Sequence, residues 1–210
     1  EAKDLTDTVD SVLKQHDQSL WTGNDTDLLV TSTFQYYGVS GQILNATQVG
    51  AVAQTFNVSA TGSLVNGVKT QVALMASRTD YEVRPSATYA NPVFLDLFDQ
   101  EAKSFQLYFN KVEILPGVIV EAIPTQMGLL PLISDPAITY QGTTVGARTF
   151  SAFILSEDSV QYHWLTNPLP RVFQLGLLQN LAAQYVVVKF GAPVVKGPGY
   201  AHSVVIAASR

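Results

Sequence analysis

Apolar residues recur at spacings of three and four from the start of the chain. Leu5, Val9, Val12, Leu13, His16 and Leu20 fall on one face, and Asp and Lys occupy the other. The spacing predicts an amphipathic helix over residues 1–21, stopped by Gly23 and Asn24, residue types suited to helix C-termini. No N-cap is evident ahead of Leu5, which leaves room for a start upstream of the given sequence. Residues 24–62 lose this period. They are rich in Thr, Asn, Ser, Gly and Gln, with apolar pieces such as Thr33–Val39, and read as loops and short strands. The helical period returns over residues 63–77, with Leu64, Val68, Val72 and Met75 inward. Arg84–Ala90 reads as a short strand. Asn91 at an N-cap and Pro92 at the first helical position then open a third helix. It runs to about Ser104 and is expected to bury Val93, Phe94, Leu97 and Phe98.

Beyond this helix the pattern changes. Val112–Leu115 and Val118–Ile123 flank Pro116 and Gly117, which predicts a β-hairpin. Leu129–Ile133, Phe150–Leu155 and Gln161–Leu165 read as further strands. Ala182–Phe190 and Ser203–Ala207 read as a Val-rich antiparallel pair around a Gly/Pro-rich connection, Gly191–Gly199. The fold class expected is α+β, without an internal repeat or a linker between independent domains.

Composition narrows the function classes. The chain has 210 residues, enough for a sizeable core. It is 47% hydrophobic and only 14% charged, against about a quarter charged in ordinary domains. A surface so poor in ions is easily buried against neighbouring subunits, because few charges need desolvating. The net charge is −5 and no basic run occurs, which argues against direct nucleic-acid binding. There is no cysteine, so disulfides, thiolate metal sites and Cys nucleophiles are excluded. No apolar run reaches the length of a membrane span. The sequence opens on Glu1 without a signal-peptide pattern, so it is expected to be processed or a fragment.

Catalysis needs convergent polar groups, and none stands out. His16 lies beside Asp17 on the first helix, His163 in a strand beside Trp164, and His202 opens the last strand. None has metal-ligand spacing, and each is expected to be structural. Gly38-Val39-Ser40-Gly41 approaches a nucleophile elbow, but its second glycine comes one residue early and no helix is expected after it. The segment Gly142–Gly146 lacks the Lys of a phosphate loop. Asn24, Asn45 and Asn57 head N-x-Ser/Thr triplets, which composition alone explains. Asp96, Asp99 and Glu101 are read as a solvated face of the third helix, with no facing group for acid–base work. The expectation is therefore no catalytic, cofactor-binding or metal-binding residue, and no enzyme.

The order of elements resembles the tailed-bacteriophage major capsid proteins and the encapsulins. Residues 10–24 (DSVLKQHDQSLWTGN) and 36–43 (YYGVSGQI) are similar to that family's spine helix, aromatic residue, Gly-Asn turn and Gly-rich segment. Trp21, Gly23 and Asn24 match the turn, and Gly38 and Gly41 fit the Gly-rich segment. Residues 86–98 (SATYANPVFLDLF) resemble its strand–Asn-Pro–helix unit, and residues 118–133 a surface-facing strand. The closing strands resemble those that return to the peripheral domain. The resemblance implies a peripheral domain from residues 1–44 and 171–210 and an axial domain from residues 45–170. It implies a structural subunit that self-assembles into hexamers and pentamers of an icosahedral phage head. Partners implied are copies of itself, a decoration protein, scaffold and portal, with packaged double-stranded DNA touched weakly, and the location is the virion. Family members carry an N-terminal arm and an extended loop before the spine helix. This sequence opens within that helix, so both are expected to be missing or supplied differently. The Lys–Asn cross-link of some members is assigned to no residue here. The alternatives are an encapsulin-like compartment shell, a secreted or surface binding module and, more distantly, a hydrolase.

Overall fold

The structure is a computed structural model that describes residues 2–23, 36–44, 55–58, 64–79, 82–105, 108–140, 142, 148–165, 169–177 and 183–208. Four helices are described: α1 (Ala2–Thr22), α2 (Val39–Leu44), α3 (Leu64–Ala76) and α4 (Pro92–Ser104). The early strands are β1 (Thr55–Val58), β2 (Ala87–Ala90), β3 (Asn110–Leu115), β4 (Val118–Thr125), β5 (Gly128–Ser134) and β6 (Thr149–Leu155). The later ones are β7 (Val160–Trp164), β8 (Arg171–Leu177), β9 (Ala183–Val188), β10 (Gly191–Val195) and β11 (Ser203–Ala208). The chain divides into two compact units. Unit 1 comprises Glu1–Val39 and Gln161–Val194, and unit 2 comprises Ser40–Val160 and Val195–Arg210.

Unit 2 is built on a seven-stranded sheet in the order β1-β11-β6-β2-β5-β4-β3. The β1–β11 and β2–β5 pairs are parallel and the rest antiparallel. Alternation along β6 sends Phe150, Ala152 and Ile154 to one face, level with Ala207, Val205 and Ser203 of β11. That face carries the core with α3 and α4, through Leu64, Val65, Val68, Val72, Phe94 and Phe98. The ring of Phe94 stacks on Phe150 at 5.4 Å and tilts against Phe98 at 5.2 Å. Each fully buried side chain of this kind contributes roughly 1.5–3 kcal/mol.

The start of α4 follows from its sequence. The Asn91 side chain accepts from Val93 N at 3.0 Å and donates Nδ2–H to Ile138 O at 2.8 Å. Pro92 takes the first turn, where a missing N–H costs nothing. Of the residues expected inside α4, Phe94 and Phe98 are buried, Leu97 is half-buried, and Val93 is 42% exposed. The buried stripe runs 94, 98, 101, 102, and Val93 lies off it. The Pro116–Gly117 hairpin forms as expected, with Gly117 at φ +83°.

Two expectations are corrected here. The closing strands do not pair: β11 lies between β1 and β6, whereas β9 pairs with β8, a strand the sequence pattern left unassigned. The connection between them contains β10, which pairs with β7. Pro193 is tolerated there because a two-stranded sheet leaves N–H positions that need no partner. Periodicity identifies a strand but not its neighbour. The second correction is α2, six residues of helix where a strand or loop was expected through Val39. Residues 36–38 are not a strand, and 33–35 lie outside the described residues.

In unit 1 the C-terminal end of α1 receives residues 36–38. Gly38 N donates to Gly23 O at 2.7 Å. A Cβ on Gly38 would stand 2.5 Å from Trp21 O, and one on Gly23 would stand 2.3 Å from Tyr36 O. Both are backbone atoms, so only glycine permits the approach. β11 lies in unit 2, and β8 and β9 lie in unit 1.

Candidate functional site

The apolar face of α1 brings His16 into a polar cluster within unit 1. Lys189 Nζ donates to His16 Nδ1 at 3.3 Å, and the opposite nitrogen, Nε2, donates to Tyr162 Oη at 2.6 Å. This assigns a neutral imidazole by its hydrogen-bond network. Burial first, then the Lys189 ammonium, holds the His16 pKa below its ordinary value, with Asp17 opposing. Tyr162 in turn bonds Tyr36, and Ser19 Oγ lies 3.0 Å from Tyr36 Oη. Burial raises both phenol pKa values. Trp164 stacks on His16 at 6.1 Å, and the Lys189 ammonium sits 5.0 Å from the centre of its ring. A cavity of about 260 Å³ borders the cluster, lined by Gln15, His16, Ser19, Tyr36, Lys189 and Gly191 among others. The chemistry is that of a clamp: a neutral histidine accepts from one segment and donates to another.

The other candidates stay apart. His163 is exposed on β7. His202 is 2% exposed, with Nε2 3.3 Å from Lys196 O and Nδ1 facing no donor among the described residues. Burial pushes its pKa down to about 4. Ser40 stands in the first turn of α2, after residues that are not a strand, so the elbow arrangement is not formed. Gly142 is a positive-φ loop residue, and 143–147 lie outside the described residues. Asn57 lies within β1 opposite Ile206, while Asn24 and Asn45 lie outside the described residues. Among the described residues no group of His, Cys, Asp and Glu is placed to hold a metal, and no helix is long and apolar enough to cross a membrane.

The acidic residues of α4 depart from the solvated face expected of them. Glu101 is buried, and its carboxyl oxygens accept from Leu64 N and Val65 N at 3.1 Å each. It thereby caps α3 from a neighbouring helix. The signal was its place on the stripe 94, 98, 101. Asp96 accepts from Gln100 at 2.7 Å on the exposed side. Asp99 meets Glu121 of β4, the facing group that sequence did not reveal. Burial, then the hydrogen bond to Asp99, raises the Glu121 pKa, against Lys111 and Lys103. The lysines balance the pair, beside a cavity of about 480 Å³.

Large apolar side chains stand in solvent in both units. In unit 2 they gather where the β3–β4 hairpin turns, at Ile114, Leu115, Val118 and Ile119, and at Met127 and Leu129. In unit 1 they gather on β8 and beside it, at Leu165, Leu169, Val172, Phe173, Leu175 and Tyr185.

No family model matches the sequence, and no curated protein sequence matches it. Comparison of structures shows the fold: it is shared with a solved encapsulin chain and with a solved phage chain. One neighbour is the holo-SrpI encapsulin of Synechococcus elongatus PCC 7942, with a TM-score of 0.66 and 15% identity. The superposition covers 96% of this chain and 63% of that one. A second is a chain from Gordonia phage Cozz, with a TM-score of 0.56 and 14% identity over 100% of this chain and 65% of that one. The chain thus spans just under two-thirds of the length of either neighbour.

Proposed function

We propose that the chain is the shell-forming part of a tailed-phage major capsid protein, a structural subunit and not an enzyme. The observation that carries this reading is the shell-protein fold, matched over nearly the whole chain by two neighbours of that class. A closed shell reuses one surface many times, so each contact can be weak while the sum is strong. Low charge and exposed apolar strands suit that demand. Unit 1, with the spine helix α1, serves as the peripheral domain. Unit 2 serves as the axial domain, whose loops meet around the centre of hexamers and pentamers. The subunit works in the virion and is assembled in the bacterial cytoplasm with scaffold, portal and decoration proteins. At a net charge of −5 it touches packaged double-stranded DNA weakly and without sequence preference.

A second reading is an encapsulin-like compartment, favoured by the higher TM-score of the encapsulin neighbour, 0.66 against 0.56. Negative-stain electron microscopy of the full-length protein tests the class. Icosahedral particles are expected, and a protein that stays monomeric under all assembly conditions overturns it. Particles purified from the native source separate the readings: double-stranded DNA inside supports the phage head, and protein cargo supports the compartment.

A further inference from the structure

Strand β8 is exposed along its described side chains and pairs only with β9 among the described strands. Among the described residues its outer edge has no strand beside it, and such an edge is the usual template for pairing with another chain. Proteins that stay monomeric guard such an edge with charges, prolines or a covering segment. Only its start is guarded, by Arg171 with Pro170 just before it: from Val172 to Val188 there is no charged residue and no proline. Instead β8 carries Val172, Phe173 at 48% exposure and Leu175 at 59%, with Tyr185 across the hairpin and Leu169 just before it.

The hairpin exposes both faces of β8. Phe173 stands level with Val186 and Gln174 with Tyr185, so apolar groups occur on each side of the ribbon. Leu175 sits at the irregularity between Gln174 and Gly176, where the ladder shifts. A two-stranded ribbon is marginal alone and gains from a third strand or an apolar cover. Trp164, Leu165, Phe190 and Val194 are further exposed apolar side chains of unit 1.

We infer that the β8 edge and the apolar side chains around it form a contact surface for a second copy of this chain. The scarcity of charge chooses the occupant. A partner recognised by charged groups would find only Arg171 at the start of the strand, whereas the uncharged stretch beyond it meets a copy of its own subunit without like-charge repulsion. The identity of the partner rests on the shell reading above; the presence of a contact surface does not.

The chain lacks cysteine, so a single Leu175→Cys substitution places one thiol in the surface at small cost to the fold. The experiment is carried out on the full-length protein, comparing the rate at which a maleimide labels that thiol in assembled and dissociated protein. Labelling is expected to be at least tenfold slower in the assembly. Equal rates overturn the inference even if shells are seen. If only small oligomers form and the thiol is protected in them, the surface stands and the shell reading fails. A protein that stays monomeric by sedimentation overturns the surface itself. The double variant Phe173→Glu, Leu175→Glu gives the converse test. It is expected to keep the wild-type circular dichroism spectrum and to lose at least 90% of assembled material, and wild-type yield of assemblies from it overturns the inference.

Discussion

His16 and Lys189 meet as a neutral acceptor and a cation, with Lys189 Nζ 3.3 Å from His16 Nδ1. The contact exists only while the imidazole is unprotonated. A proton on Nδ1 would set two cations against each other and free the ammonium from its position over Trp164. The Lys189→Met variant is therefore expected to raise the His16 pKa towards its ordinary value, since the second cause of its depression is gone. An NMR titration of the His16 ring measures this. An unchanged or lowered value would show that the two groups are not coupled.

His202 makes unit 2 sensitive to acid. Its folded pKa of about 4 lies below the ordinary 6.5, so the unfolded chain binds the proton more tightly. Stability from this group is complete above pH 6.5, is lost as pH falls, and levels out below about pH 4. The full loss is about 3 kcal/mol. His202→Phe is expected to flatten the difference in urea-unfolding free energy between about pH 7 and about pH 4.5. The same pH dependence in variant and wild type would sink the assignment.

Gly38→Ala sets a Cβ against the carbonyl of Trp21, which belongs to the last turn of α1 and cannot easily withdraw. The expected loss is about 1–3 kcal/mol. Gly117→Ala is a useful contrast: nothing lies near its Cβ, and only its φ of +83° resists substitution. Thermal melts of the two variants should place Gly38→Ala lower.

Glu101→Ala uncovers two backbone donors at the start of α3, inside the core. The loss expected is about 2–3 kcal/mol. Glu101→Gln keeps one acceptor and turns an amide towards the other N–H, so it should fall between alanine and wild type. Urea midpoints of the three proteins check the order, and equal stability of Ala and Gln would refute the capping role.

Val9 is half-buried on the apolar face of α1, and α1 packs on β9 within unit 1. Val9→Asp is expected to abolish intact particles. Electron microscopy counts them, and wild-type yield would remove this face of the helix from the assembly argument.

Much of this was legible locally. Asn91 and Pro92 announce α4 because a cap and a first turn need those residue types, and the hairpin follows from Pro116 and Gly117. Gly23 was legible as a helix stop, but the close approach that requires it is tertiary: Tyr36 O leaves no room for a Cβ on Gly23, and Trp21 O none for one on Gly38. The pairing of β9 and β11 was misread because alternation gives a strand its faces and not its neighbours. α2 escaped notice because six residues are under two turns, too short for a period to show. Glu101 was misjudged by its charge, although its spacing from Phe94 and Phe98 already set it on the inner stripe. Asp99 and Glu121 lie on different elements, and nothing local joins them.

The place of β11 in the sheet also carries a consequence for biosynthesis. β1 is made early, yet its partner in the sheet is the strand at residues 203–208. Roughly 140 residues separate the two segments, and the ribosome delivers them seconds apart. Until the last strand emerges, β1 waits without its neighbour and β6 lacks one of its two. Folding of unit 2 is thereby tied to the synthesis of residues 203–208, a topology that favours slow closure. Chains interrupted before this point would hold an open sheet, with β1 and β6 each short of a neighbour.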